Sequence, residues 1–349
     1  MDSSTISPAN AMVRRDGKDG KGAPGPVLVC GSIAIDLIGR YKGSFAEYQA
    51  RYPVSNLNIS LQLASFHTGF GGCGMNIVYG LHCLGVEAVP LSSAGLDFDD
   101  QYRSHLEAQG ICTSYINIDP DYPKCASAML ISDQEGNQIT AFHAGASVST
   151  HRADPADIAG IETFSVAVLA PEDATIMLRQ GRSLQELRVP IVLDPGQGLA
   201  EFSRQELLEL ISLSDYLLVN EHEWEITQRI AGISAAVLTT KFKQVIVTHG
   251  ERGSSVYLTQ GDIIDTAAVP CPAPVDPTGC GDAFRAGYVA GLIRSLAPQT
   301  CARLGATLAS INLASPDTQT YQVNGANFSA LYEATYGEPV PPAIMRQLA

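Results

Sequence analysis

The chain has 349 residues, 45% of them hydrophobic, with 36 Asp plus Glu against 22 Lys plus Arg and a formal net charge of -14. That length accommodates one large domain with an appendage, or two domains, and the apolar fraction suffices for a sizeable core. The charge argues against a general binder of nucleic acid or of anionic membranes, and it obliges any anionic substrate to find a site lined by backbone N–H groups or local cations. The 8 cysteines are scattered, with neither Cys-x-x-Cys nor a His pair at zinc spacing, and read as reduced thiols of a cytoplasmic protein. Residues 1–25, rich in Ser, Lys, Gly and Asp, fit neither a signal peptide nor a membrane anchor and read as a disordered tail.

Ordered structure is expected to begin with the apolar run Val27–Cys30, which ends in Gly31-Ser32 and leads to Asp36. Small and acidic residues at the carboxyl end of a strand are where an open α/β sheet meets ligands, so Ser32 and Asp36 are candidates for substrate hydroxyls. Asp36 could equally cap a turn. From Tyr41 to Phe70 the pattern is irregular, punctuated by Pro53 and Asn56, with a short alternating run from Leu57 to Leu63.

Gly69 to Gly74 formally spells G-x-G-x-x-G, yet no clear apolar strand precedes it and Glu87 does not end a second strand. A dinucleotide loop is therefore a weak reading. The helix that follows has apolar residues at 77, 78, 81 and 84 and stops at Gly85. Ala88–Ser92 reads as a strand and Asp99–Gln109 as a helix closed by Gly110. Cys112–Ile118 and Ala126–Ile131 are β-like, and the latter turns through residues 133–137 into Gln138–Phe142, a hairpin.

Two β-rich insertions, 37–70 and 112–145, are thus expected to form a small sheet, with 26–36, 71–111 and 146–349 forming a large domain. Beyond residue 146 the short apolar strands Val166–Ala170, Val189–Asp194, Tyr216–Asn220 and Val245–Thr248 alternate with helical stretches, which predicts a mostly parallel central sheet covered on both faces.

The strand Tyr216–Asn220 runs into Glu221-His222-Glu223. Ile226 stands where a zinc-protease helix would carry its second His, so that motif is absent. The stretch Asp276-Pro277-Thr278-Gly279-Cys280-Gly281-Asp282 places two glycines around one small residue at the start of an apolar helix. Converging N–H groups beside a carboxylate make an anion hole with a base in it, an arrangement suited to phosphoryl transfer.

Asp276-x-Thr278-Gly279-x-Gly281-Asp282, together with Gly71-Gly72-x-x-x-Asn76, resembles the two signatures of the PfkB/ribokinase family of sugar and nucleoside kinases, in order, within a likeness that runs from about Val27 to Tyr336. Inside that family the stretch is most similar to bacterial adenosine kinases. The resemblance implies a ribokinase-like fold whose small β-sheet is a lid over the acceptor. It implies ATP and Mg2+, and in-line transfer of the γ-phosphoryl to the 5′-hydroxyl of adenosine. Asp282 would be the general base, and Gly279, Cys280 and Gly281 would hold the developing charge.

Ser32, Asp36, Gly71, Gly72 and Asn76 would bind the ribose. Phe142 would stack on the base or pack in its sheet, and Ala128 in place of a second lid aromatic leaves base specificity open. Asn220 and Glu223 match the element that holds water around magnesium, although acidic residues also simply favour a helix start. Thr248, Gly250, Gly253 and Thr278 would line the nucleotide, Asn312 would lie near the adenine, and Asp276 would neighbour a monovalent cation such as K+. The exposed face of the lid could serve a homodimer. A sugar kinase, an NAD-dependent oxidoreductase and a non-catalytic nucleoside binder remain competing readings.

Overall fold

In the computed structural model the described residues are 23–51, 60–100, 102–135 and 137–348. The expected tail up to residue 22, Pro53, Asn56, the start of the 57–63 run and Gly136 in the hairpin loop lie outside them. In chain order the strands are β1 (Val27–Cys30), β2 (Ala34–Tyr41), β3 (Leu63–Gly71), β4 (Ala88–Ala94), β5 (Ile116–Ile118), β6 (Ala126–Ser132), β7 (Gln138–His143), β8 (Val166–Leu169), β9 (Ile191–Leu193), β10 (Tyr216–Asn220), β11 (Gln244–Thr248), β12 (Ser254–Leu258) and β13 (Ile263–Thr266). The helices are α1 (Phe45–Arg51), α2 (Cys73–Cys83), α3 (Tyr102–Ala108), α4 (Ala174–Glu186), α5 (Arg204–Leu213), α6 (Glu221–Ala231), α7 (Ala235–Leu238), α8 (Cys280–Leu292), α9 (Pro298–Leu313), α10 (Gly325–Tyr336) and α11 (Pro342–Met345).

The large sheet has nine strands in the order β13-β12-β11-β10-β9-β8-β1-β4-β5. Parallel strands covered on both faces must be apolar on both, which is why β1, β8 and β9 are uninterrupted runs of buried residues. Val27 and Val29 join the core formed with α2, α8 and α9, whereas Leu28 and Cys30 join the one formed with α4, α5 and α6. Helices α8 and α9 approach until their backbones touch: a Cβ added at Gly287 would stand 2.6 Å from the Cα of Gly305. No helix among the described residues is long and apolar enough to cross a membrane.

The small sheet has four strands in the order β3-β2-β6-β7. Its hairpin β6–β7 forms as the turn residues predict, with Asp133 accepting from the amides of Glu135 and Asn137 at 2.9 and 2.8 Å. Four features differ from the sequence expectation. Ile116–Ile118 belongs to the large sheet and pairs in parallel with β4, because Ile116 finds an apolar edge to bury against. The lid strand β2 already begins at Ala34, so Asp36 rides on the lid rather than on the large domain. Phe45–Arg51 is helical, although none of its residues is buried. Finally, β12 and β13 close the large sheet as antiparallel strands beside β11.

Candidate active site

The glycine-rich loop is held from behind. Asp276 accepts from the Thr278 amide at 2.8 Å, and Asn312 on α9 donates to the Thr278 carbonyl at 2.8 Å. Gly279, at φ +76°, makes the left-handed bend from which α8 departs, a conformation that favours glycine. The Cys280 amide, expected in the anion hole, is engaged by the Pro277 carbonyl at 3.2 Å, and the amides of Gly279, Gly281 and Asp282 have no acceptor among the described residues. Burial pushes the Cys280 thiol up to about 11, so it stays protonated and the loop carries donors without added negative charge. Asn312 is buried with both amide hydrogens committed, to Thr278 and to the Cys280 sulfur at 3.4 Å, which makes it a brace of this loop.

Asp282 stands in the first turn of α8 and is buried. Burial pushes its carboxyl above the usual carboxylate range, while Arg285 and the amide of Asn76, 2.9 Å from Oδ2, pull it back. A carboxylate poised in this way can accept a proton from a hydroxyl. Arg285 passes directly beneath the loop, since a Cβ at Gly281 would stand 2.7 Å from its Nη1. The guanidinium donates to Asp194 at 2.7 Å through Nη2, touches the same carboxylate through Nε, and lies 3.5 Å from Glu223. Burial works against the charge of Arg285, but Asp194, Glu223 and Asp282 more than offset this and hold it charged.

Glu223 and Asn220 form a reciprocal cap at the start of α6, with Oε2 of Glu223 taking the Asn220 amide at 2.8 Å. Oε1 has no hydrogen-bond partner among the described residues, and a single oxygen behind a cap fits a magnesium ion held through water better than one bound directly. Among the described residues no group of three or more His, Cys, Asp or Glu could hold a metal ion. Thr248 pairs in register with Asn220 at the carboxyl edge of the sheet. The turn after Thr248 is set by Gly250 and Gly253, at φ +60° and +96°, and a Cβ at Gly253 would collide with the Thr266 carbonyl at 2.0 Å.

Facing this half are the residues expected to hold the acceptor. The carboxylate of Asp36 lies against Gly71, where a Cβ would stand 2.1 Å from its Oδ2, and the carbonyl of Ser32 lies against Gly72 at 2.5 Å by the same measure. Burial, then the charges of Asp282, Asp276 and Asp317, push the Asp36 carboxyl up to about 7. In the lid, Asp36, Ala128 and Phe142 occupy one cross-strand row and so share a face, and Phe142 is 62% exposed on it. Phe142 therefore does not pack into its sheet.

The structure also brings in residues for which the sequence offered little. Asp194 ends an apolar strand, the same pattern that singled out Asp36. Arg285 is a lone cation in an apolar helix. Gln319 and Asp317 lie in an irregular stretch with no periodic signal.

Taken together, an N–H-lined loop at a helix start, a buried carboxylate beside it and a lid carrying a second carboxylate define a phosphotransferase that acts on a hydroxyl acceptor, built on a ribokinase-like α/β fold. The chain belongs to the pfkB family of carbohydrate kinases, whose family model matches residues 26–324. A nucleoside kinase of Methanothermobacter thermautotrophicus is 31% identical over 266 residues, covering 75% of this chain and 84% of the relative. A nucleoside kinase of Burkholderia thailandensis solved in complex with inosine superposes with TM-score 0.81 at 30% identity, covering 90% of this chain and 99% of its own. The Methanocaldococcus jannaschii nucleoside kinase structure gives 0.79 at 25% identity, with 90% and 100% covered.

Proposed function

We propose that this protein transfers the γ-phosphoryl group of ATP to the 5′-hydroxyl of a nucleoside, with adenosine as the preferred acceptor. The observation that carries the reading is the convergence of Asp282, its bond to Asn76, and the lid residue Asp36 on one space beside the Gly279–Gly281 loop. Asp36, Ser32, Gly71, Gly72 and Asn76 hold the ribose, and Asp282 takes the proton of its attacking hydroxyl. The Gly279 and Gly281 amides face the charge that develops on the transferred oxygens. Phe142 offers its exposed ring to the base, a geometry worth about 1 kcal/mol beyond simple burial. Thr248, Gly250, Gly253 and Thr278 line the nucleotide, and Asn312 contributes by holding their neighbour loop rather than by touching adenine.

Glu223 would hold Mg2+ through water, where the ion supplies neutralisation of phosphate charge. Asp276 would stand next to a K+ ion. The relative bound to inosine supports a second reading, a kinase with broader acceptance of nucleosides, because Ala128 leaves the base side of the lid open. ADP release from MgATP with adenosine, inosine, guanosine, cytidine, ribose and fructose 6-phosphate offered separately decides between them. Turnover confined to sugars would overturn the nucleoside assignment.

The outer face of the lid carries Phe66, Met129 and Ile139, at 57, 43 and 45% exposure, and is the face we assign to a homodimer in a cytoplasmic setting. Sedimentation of the wild type against Phe66→Asp checks it: a monomeric wild type would refute the assignment.

A further inference from the structure

The segment between α9 and α10 reaches both halves of the site through three consecutive residues. Asp317 accepts from His67 of β3 at 2.9 Å, Thr318 donates to the Phe70 carbonyl at 2.7 Å, and Gln319 donates to Asn76 Oδ1 at 2.9 Å. The first two bonds grip the lid strand, and the third reaches the partner of the general base.

The amide of Gln319 is fully engaged, and its direction is fixed by its surroundings. Tyr102 donates its hydroxyl hydrogen to the Gly71 carbonyl at 2.6 Å and therefore accepts from Gln319 Nε2, at 2.8 Å. His105, stacked on Phe70 with centroids 4.1 Å apart, stands 3.1 Å from Gln319 Oε1 and donates to it. With its NH2 group thus turned inward, Gln319 requires Asn76 to present Oδ1 to it and Nδ2 to Asp282. A flipped Asn76 would set donor against donor at Gln319 and oxygen against oxygen at Asp282. None of Gln319, Tyr102 and His105 is needed to touch substrate in this arrangement.

We propose that Asp317–Gln319 is a coupler through which the position of the lid strand sets the orientation of Asn76 against the catalytic carboxylate, with Gln319 as its positioning residue. The proposal rests on the assignment of Asp282 as general base. A lid seated on Asp317 and Thr318 holds Gln319 in register, so the base acquires its hydrogen-bond donor when the acceptor site is covered. Displacement of the strand relaxes Gln319 and frees Asn76 to turn.

The test is a double-mutant cycle on kcat with Gln319→Met and His67→Ala, together with the pH profile of kcat/KM. His67 has a side chain 43% exposed, so its removal does not endanger folding. Gln319→Met is expected to lower kcat about tenfold and to move the acid limb upward by about one pH unit, the size of one hydrogen bond to a charged group. Asp36, Asp194, Glu223 and Arg285, the other charges around Asp282, and the neighbouring Cys73, Cys280 and Tyr321 are unchanged by either substitution. His67→Ala is expected to lower kcat roughly threefold, with the double variant no worse than Gln319→Met alone. Multiplicative effects, or an acid limb that stays in place in Gln319→Met, would overturn the coupler. Asp282→Asn run in parallel separates the two failures, because retained turnover there refutes the base itself, whatever the cycle shows.

Discussion

Replacing Asp36 by Asn separates the recognition proposed for this carboxylate from what it does to stability. The group is buried on β2 against Gly71, has Asp282, Asp276 and Asp317 as electrostatic neighbours, and has no hydrogen-bond donor within the described residues. Its pKa is pushed from 3.8 to about 7, which corresponds to roughly 4 kcal/mol of preference for the protonated form. The folded protein holds this proton up to about pH 7, whereas the unfolded chain releases it near 4. The contribution of Asp36 to stability is thus complete below pH 4, declines as pH rises, and is lost above 7.

Asn cannot ionise and removes that decline. Ligand-free Asp36→Asn should therefore match wild type near pH 4 and exceed it by as much as about 4 kcal/mol at pH 8, measured by urea unfolding across the range. The same substitution should raise the nucleoside KM by tenfold or more while the KM for ATP changes little. A variant whose stability falls between pH 5 and 8 as steeply as wild type would refute the reasoning, since another group would then be titrating.

Arg285→Met leaves Asp194 and Glu223 without their shared cation, and urea unfolding should show a loss of about 3–5 kcal/mol. Gly71→Ala drives a methyl group into the Asp36 carboxylate, so isothermal titration should find nucleoside binding abolished and ATP binding retained. Phe142→Ala removes an exposed ring, so it should leave the melting temperature within a degree or two but raise the nucleoside KM about fivefold, the worth of one stacking contact.

What the sequence disclosed was local. The loop around Gly279 and the carboxylate of Asp282 could be read because seven adjacent residues carry both the bend and the charge. The alternation beyond residue 146 could be read because parallel strands buried on both faces admit little but apolar residues. What escaped was contact between distant positions. Asn76 and Asp282 are 206 residues apart, and Arg285 and Asp194 are 91 apart, so neither pair leaves a spacing to recognise. Gln319 escaped for a further reason, since its importance lies in the direction of its amide, which composition does not record. The helix α1 escaped because it buries nothing and so shows no apolar stripe. Asp36 was singled out as a candidate for substrate hydroxyls and assigned to the large domain, whereas it lies on β2 of the small sheet, because that strand carries a run of buried positions across the boundary between the two.

The contact of Gly287 with Gly305 gives the helix that carries Asp282 no slack. With backbone against backbone, α8 cannot tilt or slide toward α9 by even a few tenths of an ångström without repulsion. The height of the glycine-rich loop is therefore set at folding, as in a fixed anvil, and adjustment to differently shaped acceptors should fall to the small sheet and its edge. Variation among substrates should accordingly be written in the lid, while a change at Gly287 or Gly305 should alter all acceptors alike.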